Sequence, residues 1–454
     1  MESVVSDNFI YETDKRSLDC YQYRTQFLSE GADYGLGDRV RIPIPPINKG
    51  FMNLQNTFLK VQVEFPSITG TGLGLTTTRI SHIGVNALFD QVNFLASSGT
   101  YIQQMPNYQA ITALNLTHNT DLSNAQSNSI TNATGIMNEQ TGANPVGGYT
   151  FLNVLGNYVE MTSSTDTAQV SDKLNTSPSL QGLFSGTRHL PLTWLSSDSA
   201  LEIVLTNDIK NILFSETAGS TITGGTMKVV ISLSAQIDIV SDNSLRKIEQ
   251  FCEFGNGPVS WSDTQQRASM NSLTQAELNS TSSIHKTQLI TGVRPRKLLS
   301  VCQFACRRNT SGNVDPWAIV NPYETFQIRL GAELHPPREM ANRAEMTQHA
   351  LDCYNQNSYT TLSNRQQGGT TDRDRFQLAS ALKKSTEVNA VGVNLTQFQA
   401  EADGLDTSQL TMETIGSLVV NSSISAGEPY QLYTVKRFGV LYSISPEGDM
   451  SISY

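Results

Sequence analysis

The sequence predicts a large all-β protein built in two similar parts. Apolar and polar residues alternate with a period of two at residues 57–65, 227–240 and 326–334. This pattern marks half-buried strands, because successive side chains of a strand point to opposite faces of a sheet. The chain has 454 residues, which exceeds the size at which a single hydrophobic core keeps growing. Two domains of strands are therefore expected.

Composition supports this fold class and restricts the function. Charged residues make up 16% of the chain and hydrophobic residues 38%; Ser, Thr, Asn, Gln and Gly dominate the rest, as in turn-rich β-sandwiches. The formal net charge of -10 argues against a protein whose whole surface binds nucleic acid.

The first residues lack a basic segment followed by an apolar one, so we expect no secretory signal. No run of eighteen apolar residues occurs, so no membrane-spanning segment is expected.

The first half is expected to contain an N-terminal arm and a first body. Residues 1–50 predict an irregular arm or sheet edge, because Pro43, Pro45 and Pro46 cannot lie inside a central strand. The body spans residues 51–241, with a helix starting near Pro106 and a long polar loop at residues 117–148. Its predicted strands are residues 51–65, 86–95, two within 188–207, and 227–240.

Residues 242–261 predict a linker with a short helix, and residues 262–454 a second body of similar plan. Pro336 and Pro337 are expected to precede a helix, because Met340, Ala344, Thr347, Leu351 and Tyr354 share one helical face. Residues 356–375 form a second polar loop. The predicted strands are residues 287–290, 298–307, 326–334, 417–420, 431–436, 438–444 and a final hairpin ending at Tyr454.

The cysteines predict core packing rather than a metal site. Cys302 and Cys306 are the nearest approach to a metal motif, but a zinc site needs a second pair at similar spacing. On a strand the two would share a face with Phe304, as core residues do. Five cysteines without a secretory signal favour reduced thiols.

No other motif predicts an active site. The six histidines are scattered, and His189 is expected to be packed or hydrogen-bonded where a strand begins. The glycines of residues 70–74 predict a turn, because a phosphate loop needs a helix directly after it. The G-x-S-x-G pattern of a serine elbow does not occur. We therefore expect no enzyme activity, no catalytic, cofactor-binding or metal-binding residues, and no cofactor.

Two basic clusters leave an alternative open. They are Arg294, Arg296 and Lys297 in one segment and Arg307 with Arg308 in another. If both faced one side, they could neutralise nucleic acid phosphates without reading sequence. The other interpretation, a strand rim paired with Asp and Glu, is the preferred one.

Three short segments resemble the double jelly-roll major capsid proteins of small eukaryotic double-stranded DNA viruses, namely polinton-like viruses and virophages. Residues 51–59 resemble the entry of that family's first strand. Residues 86–92, Asn-Ala-Leu-Phe-Asp-Gln-Val, are similar to its N-x-L-F-x-x-V strand. The closing hairpin at residues 433–454, with Gly448, is similar to its C-terminal end.

The resemblance implies two tandem eight-stranded jelly rolls with short helices in the loops. It implies a homotrimer of hexagonal outline that tiles an icosahedral shell. The protein would be made in the host cytoplasm, assembled in the cytoplasm or nucleus, and located in the virion. The implied partners are neighbouring capsomers, minor capsid, penton or cement proteins, and an internal membrane. Sequence-specific binding of nucleic acid is not implied. Phe151, Leu152 and Trp194 are expected at buried trimer faces.

Two other function classes fit the sequence less well. A receptor- or carbohydrate-binding β-sandwich, such as a spike or fibre head, explains the polar loops equally well. Two halves of similar plan favour a shell subunit over that alternative. An enzyme of the glycosidase or cupin class comes third, because no strand carries clustered His and Glu.

Overall fold

The structure is a computed structural model of the chain. The structure describes residues 20–73, 78–81, 83–96, 99–119, 137–140, 150–153, 161–164, 167–170, 174–178, 180, 182–215, 220–251, 257–274, 277, 285–310, 312, 316–317, 319–353, 390–396, 404–418, 430–445 and 448–454.

The first half folds into two antiparallel sheets, called here the first sandwich. Its long sheet has the order β1-β15-β3-β10-β9, with β11 and β12 also pairing with β3, and its short sheet has the order β2-β13-β5-β6. The elements are β1 (Cys20–Leu28), β2 (Arg39–Pro43), β3 (Gly50–Thr71), β4 (Thr78–Ile80), β5 (Phe89–Leu95), β6 (Tyr101–Pro106), α1 (Tyr108–Asn119), β7 (Met137–Gln140), β8 (Thr150–Asn153), β9 (Met161–Ser164), β10 (Thr167–Val170), β11 (Leu174–Thr176), β12 (His189–Pro191), β13 (Ala200–Leu205), β14 (Leu213–Ser215) and β15 (Thr221–Val240).

The second half repeats this arrangement and is called the second sandwich. After the helix α2 (Asp242–Phe251), its long sheet has the order β16-β24-β18-β19, with β22 pairing with β18 and β25 with β24. Its short sheet has the order β17-β23-β20-β21. The elements are β16 (Val259–Leu273), β17 (His285–Leu289), β18 (Leu298–Arg307), β19 (Ile319–Val320), β20 (Tyr323–Leu330), β21 (Glu333–Met340), α3 (Arg343–Asp352), β22 (Val391–Asn394), β23 (Met412–Leu418), β24 (Tyr430–Ile444) and β25 (Met450–Ser453).

Both sandwiches have the same strand order. Eight principal strands, numbered first to eighth in chain order, make up each sandwich: β1, β2, β3, β5, β6, β10, β13 and β15 in the first, and β16, β17, β18, β20, β21, β22, β23 and β24 in the second. In each long sheet the first principal strand pairs with the eighth, the eighth with the third, and the third with the sixth. In each short sheet the second strand pairs with the seventh, the seventh with the fourth, and the fourth with the fifth. In the first sandwich, β10, β11 and β12 share the sixth position because all three pair with β3. This is the order of an eight-stranded jelly roll, and α1 and α3 both follow the fifth strand.

The alternating segments of the sequence cover the core as predicted. Leu59, Val61, Val63 and Phe65 on β3 are at most 2% exposed, and the residues between them are not buried. The inward residues of β15 pack with them, because β15 pairs along most of the length of β3. One apolar cluster contains buried residues of both sandwiches. Two sheets facing each other thus bury one face of each strand.

Residues 20–50, part of the segment expected to form an irregular arm or a sheet edge, contain two regular edge strands. β1 pairs with β15 over its whole length, and β2 pairs with β13. Phe27, Val40 and Ile42 alternate with exposed neighbours and are buried, so these strands supply part of the core. Both lie at the edges of their sheets, where Pro43 can end a strand without interrupting a ladder. Residues 1–19 lie outside the described residues.

The helix expected after Pro336 begins later than predicted. Pro336, Pro337 and Met340 belong to the edge strand β21, and α3 starts at Arg343. Residues 326–334, predicted as one strand, are instead a hairpin that turns at Gly331, whose φ is +61°. Ala332 and Leu334, expected on the buried face of that strand, lie after Gly331 and are exposed. The polar loop at residues 356–375 and most of the loop at residues 117–148 lie outside the described residues.

The short helix expected in the linker is α2, at Asp242–Phe251. The starts of two predicted strands differ from the expectation. β16 begins at Val259, before the residue at which the second body was expected to start. Residues 86–88 are part of a 3-10 helix, and the strand predicted there begins only at Phe89.

Candidate assembly junction

A loop of the first sandwich, residues 182–187, lies between the two sandwiches. Its Phe184 main-chain N–H donates to the side-chain oxygen of Gln103 on β6, at 3.1 Å. The Phe184 ring packs edge-to-face on Phe94 of the first core, with ring centres 5.0 Å apart. Its other neighbour is Tyr442 of β24, at 5.4 Å. One aromatic ring therefore contacts the interior of one sandwich and a strand of the other.

A buried carboxylate holds this loop. Asp263 on β16 is 5% exposed, and it accepts hydrogen bonds from the main-chain N–H of Gly186, the hydroxyl of Thr187 and the main-chain N–H of Thr264. The Thr187 oxygen in turn accepts a hydrogen bond from Trp261 Nε1, at 3.1 Å. Hydrogen bonds to an ionised acceptor are stronger than neutral ones, so they offset much of the cost of burying this charge.

The amide of Gln265 extends the same contact. Its Nε2 donates to the carbonyl of Ile102 on β6, at 3.3 Å, and to the hydroxyl of Tyr442, at 2.8 Å. Burial, with a smaller contribution from the charge of Asp263, raises the pKa of Tyr442 well above its ordinary value. The phenol therefore stays neutral at physiological pH.

Asn309, Gly312 and Trp317 make a second contact with the first sandwich. Asn309 Nδ2 donates to the carbonyls of Lys210 and Leu213, at 2.8 and 3.3 Å. Trp317 Nε1 donates to the carbonyl of Asn211, at 2.9 Å. Side chains of the second sandwich thus donate hydrogen bonds to main-chain carbonyls of the first sandwich. These bonds matter because buried carbonyl groups need hydrogen-bond partners.

Glycine is required at the closest point of this second contact. The Gly312 carbonyl accepts a hydrogen bond from Ser215 N–H at 2.8 Å. Gly312 has a φ of +76°, and a Cβ atom there would lie 2.7 Å from the main-chain nitrogen of Ile222. The two contacts, made by residues 182–187 and by Asn309, Gly312 and Trp317, are together called the junction.

Sequence reasoning did not find the junction. Its central residue, Asp263, occupies an inward position between Trp261 and Gln265 on one strand. A charged residue at an inward position is the signal that could have indicated it. The partners of Asp263 lie 76 and 77 residues away, so only the folded chain brings them together.

The structure also places the residues that the sequence singled out. Cys302 and Cys306 are each 1% exposed on β18, which confirms that they pack in the core. His189 begins β12 and its Nε2 lies 3.0 Å from Asp238 Oδ2, which confirms a hydrogen-bonded histidine at a strand entry. Burial is the main cause that lowers the pKa of His189.

The two basic clusters lie at opposite ends of β18. The segment of Arg294, Arg296 and Lys297 precedes β18, and Arg308 follows that strand. A ten-residue strand separates them, which corresponds to roughly 33 Å. Hydrogen bonds from Ser408, and to a smaller extent the charge of Arg296, lower the pKa of Asp406, so this rim has an acidic residue beside it, as the preferred interpretation expects.

Trp194 was expected at a buried trimer face, and the structure places it in the apolar core. It is 8% exposed and packs edge-to-face on Phe51 within the first sandwich. The side chains of Phe151 and Leu152 lie outside the described residues. Gly72 has a φ of +64° at the end of β3, as in the predicted turn, whereas residues 74–77 are outside the described part.

Metal-binding clusters and membrane-spanning helices are absent from the part of the chain that the structure describes. In it, His, Cys, Asp and Glu side chains do not gather in groups of three or more that could hold a metal ion. None of the described helices has the length and apolar character needed to cross a membrane.

The chain is similar in structure to viral capsid proteins. A chain of the Sputnik virophage structure matches with a TM-score of 0.60 and 11% identity, covering 95% of this chain and 88% of that one. The Faustovirus major capsid protein matches with a TM-score of 0.58 and 11% identity, covering 94% and 91%. The PBCV-1 virus capsid matches with a TM-score of 0.56 and 10% identity, covering 98% and 99%.

No family model and no curated protein matches the sequence of the chain. The structural matches extend over nearly the whole of both chains, and they agree with the strand order repeated in the two halves. The chain therefore has the double jelly-roll fold of these viral capsid proteins.

Proposed function

We propose that this chain is the major capsid protein of an icosahedral virus and that it trimerises into pseudo-hexagonal capsomers. The observation that carries the proposal is the identical strand order of the two sandwiches. Three copies of a chain with two similar sandwiches present six similar units around one axis. Such a trimer has a nearly hexagonal outline and tiles a surface with repeated contacts.

The junction supports a shell subunit, because a shell needs units of fixed shape. Asp263, Trp261 and Asn309 each form hydrogen bonds across it to the first sandwich. Inter-domain contacts that are small and polar usually permit motion. Here two separate contacts and a shared apolar cluster restrain it.

The role is structural rather than enzymatic in this proposal, and the location is the virion. Self-association is the main interaction, followed by contacts with neighbouring capsomers and minor capsid, penton or cement proteins. We also propose a division of the chain near α2, with the first jelly roll before it and the second after it. Proteolysis under native conditions tests the division: cleavage within β1 or β16 would contradict these boundaries.

Measurement of mass and shape tests the capsid proposal. Light scattering coupled to size exclusion is expected to give three times the chain mass of 49.7 kDa. Negative-stain electron microscopy is expected to show particles of hexagonal outline. A protein that stays monomeric at micromolar concentration and binds glycans on an array would contradict the proposal and favour the receptor- or carbohydrate-binding alternative.

A further inference from the structure

A pair of thiols lies between α3 and the long sheet of the second sandwich. Cys302 is on β18, and Cys353 directly follows α3; they are 1% and 2% exposed. A Cβ atom on Gly392 would lie 2.7 Å from Cys302 Sγ and 2.9 Å from Cys353 Sγ. The two sulfurs therefore lie side by side in the space that a side chain at position 392 would fill.

Hydrogen bonds hold the main chain of this pair. The hydroxyl of Ser300, two residues before Cys302, donates to the Cys353 carbonyl at 3.4 Å. Asn394 Nδ2 donates to the carbonyl of Asp352 at 3.1 Å. The end of α3 is thus bound to β18 and β22, and the two cysteines are presented to each other by ordered elements.

The reduced pair is protected while the fold is closed. The Cys353 thiol donates to the carbonyl of His349 at 3.1 Å. Burial, followed by the interaction with Cys302, raises the pKa of Cys353 well above its ordinary value. The thiolate is the nucleophile in thiol–disulfide exchange, so reaction requires a local opening that admits water and a small oxidant.

We propose that Cys302 and Cys353 are a disulfide-forming pair whose oxidant is a low-molecular-weight disulfide. One cysteine thiolate attacks the small disulfide, forms a mixed disulfide and releases one small thiol. The other cysteine then attacks the mixed disulfide at the protein sulfur, forms the Cys302–Cys353 bond and releases the second small thiol. The pair loses two electrons and two protons, and the small disulfide takes up both.

The bond would tie the end of α3 to an interior strand of the long sheet. Cys302 is on β18, between β24 and β22, and β18 is separated from Cys353 by β19, β20, β21 and α3. A covalent link between them reduces the conformational entropy of the unfolded chain, so it is expected to raise thermal stability. This chemistry does not depend on the proposed capsid function.

Equilibration in glutathione redox buffers tests the pair. The full chain is incubated at increasing ratios of oxidised to reduced glutathione, with subdenaturing urea to speed opening, then denatured and alkylated. Fully reduced protein should alkylate at all five cysteines, and oxidised protein at two fewer, with a peptide cross-link joining Cys302 to Cys353. Alkylation of all five at every ratio, or a cross-link joining other cysteines, would overturn the proposal.

Variants separate a specific pair from general oxidation. Cys306→Ala removes a cysteine of equal burial on the same strand and should leave the cross-link intact. Gly392→Ala places a methyl group between the sulfurs and should reduce cross-linking at least tenfold at a fixed ratio. The thermal midpoint should rise by several degrees on oxidation of the wild type and not of Cys353→Ala. Unchanged cross-linking in Gly392→Ala, or an equal rise in Cys353→Ala, would contradict the proposal.

Discussion

The hydroxyl of Thr187, in the first sandwich, donates a hydrogen bond to the carboxylate of Asp263, in the second, at 2.6 Å. The same hydroxyl oxygen accepts from the indole of Trp261. Thr187 is therefore a donor and an acceptor in one chain of hydrogen bonds that crosses between the two jelly rolls. A buried carboxylate satisfied in this way orients the loop that carries Phe184.

Asp263→Asn should weaken the junction. The amide nitrogen that replaces one carboxylate oxygen cannot accept from Gly186 N–H or from the Thr187 hydroxyl, so one buried donor loses its acceptor. A loss of about 2 to 3 kcal/mol in the free energy of unfolding is expected, measured by urea denaturation. Asp33→Asn, at an exposed position, is the matched control and should change the midpoint little. Equal midpoints for the two variants would show that Asp263 does not hold the loop.

Gly312→Ala should destabilise the second contact more than Gly99→Ala destabilises its own turn. Both glycines have positive φ, +76° and +85°, but a Cβ atom at Gly99 would meet nothing within 4 Å. Gly99→Ala therefore bears only the backbone strain, about 1 kcal/mol. Gly312→Ala adds a collision with the main chain of Ile222 and should cost about 1 to 3 kcal/mol more. Thermal midpoints of the two variants check the order; the reverse order would exclude a close contact at Gly312.

Acidification should destabilise the first sandwich through His189. Burial lowers the pKa of His189 in the folded state, so as pH falls the unfolded chain takes up a proton first, near pH 6.5. The stability contributed by the neutral imidazole is present above that pH and is lost below it. His189→Gln should flatten the stability profile between pH 7 and pH 5, measured by urea midpoints. A variant whose slope equals that of the wild type would assign the acid sensitivity to other groups.

Alkaline pH should stabilise the second sandwich through Lys436. Lys436 is 2% exposed, and its amine donates to the carbonyls of Thr291 and Val293, at 2.8 and 2.9 Å. Burial, with smaller contributions from Arg267 and Arg294, lowers its pKa from 10.5 to about 8. Between these two values the unfolded chain holds a proton that the folded chain has released, so stability rises with pH.

The Lys436→Met variant isolates this effect. Its stability relative to the wild type should fall as pH is raised from 8 to 10, because only the wild type gains from releasing the buried proton. Denaturation at several pH values in that window measures the difference. A difference that stays constant across the window would mean that Lys436 keeps its ordinary pKa.

Periodicity was enough to predict the long strands. The alternating residues of β3 and β15 are inside because burial of one strand face stabilises any sheet, whatever its partner. The periodicity of edge strands is weaker. In β1 the buried residue is Phe27, and the apolar residues Tyr21 and Leu28 are 66% and 67% exposed, so its apolar residues do not mark one buried face. Prolines in β21 predicted the start of a helix, yet an edge position accommodates them.

The sequence by itself determined the fold class, the two-part plan, the core role of Cys302 and Cys306 and the lack of a recognisable catalytic motif. These depend on spacing along the chain. Only the tertiary structure decided the shared strand order, the junction at Asp263 and Thr187, and the meeting of Cys302 with Cys353. The last two of these join residues about 50 or more positions apart. The physical reason is that side-chain contacts between distant segments depend on how sheets pack, which local periodicity does not encode.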